Sequence, residues 1–241
     1  MHNPLNPVRE QIDQVDRQLI ELLAKRLELV AEVGKIKHQH GLPIYAPDRE
    51  AAMLNARRHE AEKAGIPADL IEDVLRRVMR ESYASENKHG FKAVNPDIRK
   101  IVVVGGYGKL GGLFVRYFRL SGYEVEVLGS EDWPNAQTIL ADADVVIVCV
   151  PINRTLETIE RLQPFLTENM ILADLTSVKA QPLAKMLDVH EGAVVGLHPM
   201  FGPDIASMAK QVIACCHGRF SERYQWLLEQ FKMWGAKIEQ I

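Results

Sequence analysis

The apolar positions between residues 8 and 36 follow a repeated four–three spacing, which predicts one long amphipathic helix. Asn6, as the N-cap, and Pro7 mark its beginning, and Gly41 and Pro43 mark its end. Such a helix of about 33 residues is about 50 Å long and extends beyond a domain of ordinary size. A second chain must then cover its apolar stripe, which predicts a dimer. The stripe consists of Val8, Ile12, Val15, Leu19, Leu22, Leu29, Val33 and Ile36.

The four–three spacing predicts another apolar residue at position 26, where the chain has Arg26. A cation on a buried helix face is costly unless an anionic group meets it. Two interpretations stay open, a polar residue that fixes the register beside a glutamate and an anion-binding site inside a helical bundle. Lys37 lies on nearly the same side, so both side chains can reach one small anion. Arg9, about 25 Å from Arg26 along the axis, reaches such an anion only from a second protomer, and otherwise is typical of a surface arginine.

Two further helices are predicted, from Pro47 to Gly65 and over 68–86. Ser82 and Glu86 lie four residues apart and extend the apolar stripe of the third helix. Polar residues on an inner face suggest a lined pocket, although a helix end that reaches solvent gives the same pattern.

The polar segment 87–98 separates this helical pattern from alternating strands and helices. We therefore expect an all-α three-helix domain at 1–90 and a doubly wound α/β domain of the Rossmann type at 99–241. The expected strands cover 101–104, 124–128, 145–150, 170–174 and 193–197.

A glycine-rich turn follows the first of these strands and opens a helix over 109–120. This context favours a dinucleotide site, because free N–H groups at a helix start bind the pyrophosphate, although a tight turn without ligand has the same sequence. Glu131 and Asp132 follow the second strand, and no arginine follows that would bind a 2′-phosphate, so NAD is favoured over NADP. The predicted cofactor-binding residues are Gly106, Gly108, Lys109, Leu110, Gly111, Glu131 and Asp132.

Segments 174–179 and 196–204 follow later strands, at the sheet edge where such folds bind ligands. His198 in the second segment can accept a proton near neutral pH, although a loop histidine before a proline is equally typical of a structural role. His190 and His217 lie outside these segments and are predicted to be surface residues.

The composition narrows the class of protein further. With 241 residues and 47% hydrophobic residues the chain can form two cores, and its net charge of −3 argues against bulk nucleic-acid binding. Cys149, Cys215 and Cys216 lack the spacing of metal ligands and predict a reducing compartment. The sequence shows neither a signal peptide nor a long apolar run, so we expect a cytoplasmic protein without membrane contact.

Segments 9–16, 22–26, 33–37 and 48–50 together resemble the all-helical chorismate mutases, and the resemblance covers 5–88. It implies an intertwined dimer that rearranges chorismate to prephenate without a covalent intermediate. It also implies that Arg26, Lys37 and Arg9 of the partner subunit bind the two carboxylates of chorismate. The chain departs from a family relative at Ala46, where that relative has an acid, and at Glu86, where it has glutamine. Residues that would complete the pocket are Arg49, Glu50, Ser82 and Glu86.

Segments 174–179 and 196–204, with the glycine turn, resemble the prephenate and arogenate dehydrogenases over 99–241. This implies NAD-dependent oxidative decarboxylation of prephenate to 4-hydroxyphenylpyruvate. In it His198 would hydrogen-bond the ring hydroxyl of prephenate, Ser177 would lie near that hydroxyl and Asp204 at the rim.

The two halves together resemble the bifunctional enzymes of bacterial tyrosine biosynthesis. That family continues into a further helical domain, so we expect weak dehydrogenase turnover if the chain ends at residue 241. Two alternatives remain open, a mutase with a non-catalytic nucleotide-binding domain and a non-catalytic dimerisation module joined to a nucleotide sensor.

Overall fold

The computed structural model describes residues 3–241, beginning with three helices. They are α1 (Asn6–His40), α2 (Pro47–Lys63) and α3 (Ala68–Glu86), and a 3-10 turn at Asn87–His89 follows. The first strand begins at Lys100, beyond the polar segment. The domain limits 1–90 and 99–241 stay predictions.

Helix α1 ends as predicted but begins one residue earlier than expected. Leu5 is the N-cap and Asn6 is already helical. The side chain of Asn3 accepts the Leu5 N–H at 3.0 Å. Gly41 ends the helix in the left-handed conformation, with φ of 62°, which suits a glycine. The eight stripe residues of α1 are 41–65% exposed in this chain.

Helix α1 lies directly against the end of α3. Gly34 is buried there, and a Cβ at this position would lie 3.0 Å from His89 Cδ2 and 3.4 Å from Glu86 Cα. The absence of a side chain at Gly34 therefore brings α1 close to Glu86.

The α/β part has one seven-stranded sheet in the order β2-β1-β3-β4-β5-β6-β7. Strands β1 to β5 are parallel, β6 runs antiparallel to β5, and β7 is parallel to β6. The strands are β1 (Lys100–Val104), β2 (Glu124–Leu128), β3 (Val145–Val148), β4 (Ile171–Asp174), β5 (Ala193–Pro199), β6 (Val212–Arg219) and β7 (Lys237–Gln240).

The doubly wound α/β architecture is confirmed, but β6 was not predicted and its direction differs from the expected parallel order. A loop at 200–211, without a crossover helix, joins β5 to β6, and such a connection suits an antiparallel neighbour. The apolar half of β6 is followed by Cys216 and His217, so its sequence lacks a clean strand period.

Helices cover both faces of the sheet and produce two hydrophobic clusters. Residues of α4 and α8 pack on one face, whereas residues of α5, α6 and α7 pack on the other. These helices are α4 (Lys109–Leu120), α5 (Ala136–Leu140), α6 (Thr155–Leu162), α7 (Ala180–Val189) and α8 (Ser221–Met233).

The segment between α3 and β1 is bound to the α/β part. The fully buried Gln230 accepts hydrogen bonds from the Val94 N–H and the Tyr123 hydroxyl, both at 2.9 Å. Ile44 and Phe91 belong to the same hydrophobic cluster as α4 and α8. Loop residues beside the three helices therefore pack into the core of the α/β part.

His190 is buried, which corrects the predicted surface position. It is 2% exposed, and its Nε2 donates to the Met170 carbonyl at 2.9 Å, so burial lowers the pKa of this imidazole. The residue follows α7 directly, and sequence position alone did not show that the ring turns inward. His217 is exposed, as predicted. Within residues 3–241, no helix has both the length and the apolar character that crossing a bilayer requires.

Candidate functional site

Four predicted mutase residues form one polar cluster between α1 and α3. An Arg26 guanidinium nitrogen donates to Ser82 Oγ at 2.8 Å, and Lys37 Nζ lies 2.8 Å from Glu86 Oε2. Lys37 also donates to the Ile44 carbonyl at 2.5 Å. The cations of α1 thus face polar groups of α3, not hydrocarbon.

Glu86 is the most buried ionisable group of this cluster, with 5% exposure. Burial raises the pKa of its carboxyl group, while the nearby Lys37 and Arg26 cations oppose that effect. The net direction is upward, so the protonated form persists to higher pH than for an exposed glutamate. In that form Glu86 is a hydrogen-bond donor.

The other three predicted mutase residues lie away from this cluster. Arg9 is exposed in the first turns of α1, and Arg49 is exposed at the start of α2. Glu50 is buried, but it accepts the Tyr83 hydroxyl at 2.6 Å and pairs with Lys210 of the α/β part. No sequence signal indicated Lys210, because 160 residues separate it from Glu50.

The enclosed space beside Lys37 and Glu86 is small. A cavity of about 10 Å³ is lined by this pair, by Gly34 and by Phe91. Such a volume has room for about one water molecule and not for an organic dicarboxylate. Arg26 and Ser82 do not line this cavity, so it is not the space in which the whole cluster would meet a ligand.

The predicted glycine turn lies between β1 and the start of α4, and backbone contacts require glycine at Gly111. A Cβ on Gly111 would lie 2.5 Å from the Gly105 carbonyl oxygen and 2.9 Å from Gly106 Cα. On Gly108 a Cβ would meet the Gly105 oxygen alone, at 3.2 Å. Gly108 therefore leaves its outer side open next to the first turn of α4, where Lys109 and Leu110 begin the helix. This arrangement fits a dinucleotide pyrophosphate.

Gly105 also requires glycine, although no role was predicted for it from the sequence. Its φ is 83°, and a Cβ there would lie 2.2 Å from the Cys149 carbonyl oxygen. Its place directly before the glycine motif was the available signal.

An open groove of about 790 Å³ extends from the glycine turn along β2 and α4. The end of the groove beside the glycine turn is lined by Gly106, Tyr107 and Asp132. Arg116 lines the groove further along α4. Asp132 Oδ2 accepts the Gly129 N–H at 2.8 Å, which fixes this acid at the end of β2. Glu131 is exposed beside it.

A second ionic pair lies at the carboxyl ends of β4 and β5. Lys179 Nζ lies 2.6 Å from Asp174 Oδ2 and 2.6 Å from the Leu197 carbonyl oxygen. Asp174 is fully buried, so burial raises its pKa and lowers that of Lys179, while the ion pair opposes both shifts. These two residues bound the segment 174–179, and no role was predicted for either of them.

His198 lies on the strand beside this pair. A Cβ on Gly196 would lie 3.2 Å from Lys179 Cδ, and His198 follows two residues later on the same face of β5. Ser177 is exposed in the loop after β4, and Asp204 lies in the loop after β5. The predicted dehydrogenase residues thus follow two neighbouring parallel strands, at the edge where such sheets bind ligands.

Comparison with known families agrees with the two halves of the fold. Residues 8–87 match the family described as chorismate mutase type II. Residues 123–215 match the nucleotide-binding domain of prephenate dehydrogenase. The helical half of the chain is thus similar to chorismate mutases, and the α/β half is similar to the nucleotide-binding domain of prephenate dehydrogenases.

Similarity to individual proteins extends over nearly the whole chain. The chain is 74% identical to the T-protein of Haemophilus influenzae over 98% of the chain's own length. It is 59% identical to the T-protein of Enterobacter agglomerans, also over 98% of its length. The chain spans 63% of the length of each of these relatives.

Similarity to a solved structure supports the fold of the nucleotide-binding domain. The chain resembles the crystal structure of A. aeolicus prephenate dehydrogenase in complex with hydroxyphenyl propionate and NAD+. The TM-score is 0.52 and the identity 17%, and the match covers 60% of each chain.

Proposed function

We propose that the chorismate mutase domain rearranges chorismate to prephenate and that the nucleotide-binding domain takes part in NAD-dependent oxidative decarboxylation of prephenate to 4-hydroxyphenylpyruvate. The observation that carries the first activity is the cluster in which Arg26 and Lys37 of α1 meet Ser82 and Glu86 of α3. Similarity to two T-proteins supports the combination of both activities.

The cluster suits a rearrangement in which negative charge develops on a breaking ether oxygen. Fixed donors aimed at that oxygen stabilise the transition state without reorganising. Lys37 is one such donor, and Glu86 is a second while it is protonated. Arg26, which Ser82 holds at 2.8 Å, offers a planar fork that suits a carboxylate of chorismate.

A second copy of the chain would complete the site. The exposed stripe of α1 provides a long apolar face for a homodimer. In an intertwined pair, Arg9 of the partner subunit would reach the ligand held by Arg26 and Lys37.

In the nucleotide-binding domain, the turn around Gly108 and the start of α4 would bind the pyrophosphate of NAD. Asp132 places a carboxylate at the end of β2, which suits ribose hydroxyls and disfavours the 2′-phosphate of NADP. When bound, NAD would accept a hydride from prephenate. His198 would accept the hydrogen bond of the ring hydroxyl and take its proton, and Ser177 would help to orient that hydroxyl.

Mixing two inactive variants tests whether each mutase site uses both chains. Arg9→Ala and Arg26→Ala should each lose about 100-fold in kcat/KM, since each removes a cation from the anionic ligand. After subunit exchange, an equal mixture should regain about a quarter of wild-type activity, because half of the dimers then contain one intact site. Chorismate consumption is the measurement.

The matched control mixes Arg9→Ala with the Arg9→Ala/Arg26→Ala double variant. These chains cannot form an intact shared site, so activity should stay at the level of the single variants. If exchanged Arg9→Ala and Arg26→Ala dimers stay inactive, the site is not shared between chains.

The raised pKa of Glu86 predicts a pH dependence of the mutase. Because protonated Glu86 donates and ionised Glu86 does not, kcat/KM for chorismate should fall by up to about tenfold per pH unit above the Glu86 pKa. Glu86→Gln keeps a neutral donor at every pH, so its profile should be flat over this range. The measurement is a kcat/KM profile of both proteins.

Glu60→Gln, which changes an exposed glutamate of α2, should keep the wild-type profile. A Glu86→Gln enzyme that loses activity at alkaline pH as the wild type does would refute this role.

Two alanine substitutions in the glycine turn separate nucleotide binding from folding. Gly108→Ala meets a single backbone atom at 3.2 Å, so the chain should fold, while the new methyl group occupies the pyrophosphate's approach and weakens NADH binding about tenfold or more. Gly111→Ala collides with backbone and should lower the free energy of unfolding by about 1–3 kcal/mol.

Calorimetric titration with NADH and thermal unfolding measure the two effects. Wild-type affinity in a folded Gly108→Ala protein would contradict the proposed position of the pyrophosphate.

A further inference from the structure

A lysine of the nucleotide-binding domain forms an ion pair with a carboxylate of the mutase domain. Lys210 lies at the end of the 200–211 loop, between β5 and β6, and Glu50 lies in the first turn of α2. The Lys210 ammonium contacts Glu50 Oε1 directly. The contact therefore connects two domains through two charged side chains.

Glu50 depends on this cation because its side chain is only 6% exposed. The Tyr83 hydroxyl donates to Glu50 Oε2 at 2.6 Å, but a hydroxyl does not neutralise the charge. Arg76 lies at 3.5 Å from Glu50 and at 2.7 Å from Glu72, which binds it more closely. A buried carboxylate without a close cation is strongly destabilising, so Lys210 is the main compensating charge.

The backbone of Lys210 is held in a conformation that lysine rarely adopts. Its φ is 68°, and its N–H donates to the Gly235 carbonyl at 3.0 Å. The neighbouring Met208 is fully buried, and the Gln211 carbonyl accepts the Lys237 N–H at 2.7 Å. Such a conformation persists where the surroundings over-determine it.

Two aromatic rings of the mutase domain also face the Lys210 ammonium. Its Nζ lies 5.5 Å from the ring centre of Tyr45 and 6.0 Å from that of Tyr83. Cation–π attraction at these distances adds to the ion pair. The backbone of Lys210 and its ammonium group are therefore both held in place.

The loop that carries Lys210 makes a second contact with the mutase domain. The side-chain amide of Asn87 donates to the Ala206 carbonyl at 3.3 Å, and Asn87 directly follows Glu86. The same loop begins immediately after β5, which carries His198. One loop thus extends from the candidate dehydrogenase site to both α2 and the end of α3.

We propose that Lys210 is a positioning residue of the mutase site, which acts by holding Glu50 and the start of α2 in place. The inference rests on the proposed mutase function and on the expectation, from the resemblance to chorismate mutases, that Glu50 completes the chorismate pocket. The nucleotide-binding domain thereby contributes to the first reaction without touching its substrate.

Lysine substitutions in the whole chain test this proposal. Lys210→Met keeps most of the length of the side chain but removes its charge, which leaves Glu50 misplaced. KM for chorismate should therefore rise about tenfold, the effect of one charged contact. Lys210→Arg should restore most of the affinity. Lys232→Met, which removes a surface ion pair with Glu229, is the matched control and should keep the wild-type KM.

The kinetic pattern separates positioning from mere stability. Partial unfolding lowers the amount of active enzyme and hence the apparent kcat, but leaves KM unchanged. A misplaced Glu50 raises KM in the folded enzyme. Thermal unfolding of each variant shows which fraction is folded at the assay temperature.

If the Lys210→Met chain does not fold, the same substitution is made in a Glu50→Gln chain. Glu50→Gln removes the buried charge, so Lys210→Met in that background leaves no uncompensated carboxylate. KM should then change by less than about twofold between Glu50→Gln and the double variant, because the partner of Lys210 is already gone.

Each outcome decides between the proposals. A wild-type KM in folded Lys210→Met, or an equal rise in KM in the Glu50→Gln background, overturns the role of Lys210 and leaves the mutase assignment intact. A wild-type chain that does not convert chorismate overturns the proposed function, and this inference with it.

Discussion

The placement of two cations on the inner side of α1 is the constraint on which the rest of this structure depends. Arg26 and Lys37 lie on the helix face where a bundle normally buries leucine. Ser82 and Glu86 of α3 accept hydrogen bonds from them. A helix pair selected for stability alone gains more from hydrocarbon at these positions. The charged cluster therefore supports the proposed site for an anionic ligand.

The same cluster also contacts the α/β part through Ile44. Lys37 also binds the Ile44 carbonyl, and Ile44 belongs to the hydrophobic core of the nucleotide-binding domain. The side chain of Gln230 accepts a hydrogen bond from the Val94 N–H, so the segment between α3 and β1 is held against the α/β part. Direct contacts therefore connect the candidate mutase site with the core of the α/β part.

Strong periodicity made much of this fold predictable from sequence. The helix after the glycine turn and the strand at Glu124–Leu128 agree with their predicted bounds, because short loops and clear apolar patterns define them. Strand β6 was missed because its polar residues obscure the pattern. The Glu50–Lys210 pair was missed for another reason, since contacts between residues 160 positions apart depend on tertiary packing.

Replacement of Arg26 by leucine tests the central claim most directly. Leucine completes the apolar stripe, so the purified Arg26→Leu chain should unfold at the wild-type temperature or above it. Its rate of chorismate conversion should nevertheless fall by about 100-fold or more, because the cation that faces the ligand is gone. An Arg26→Leu chain that converts chorismate at the wild-type rate would contradict this account.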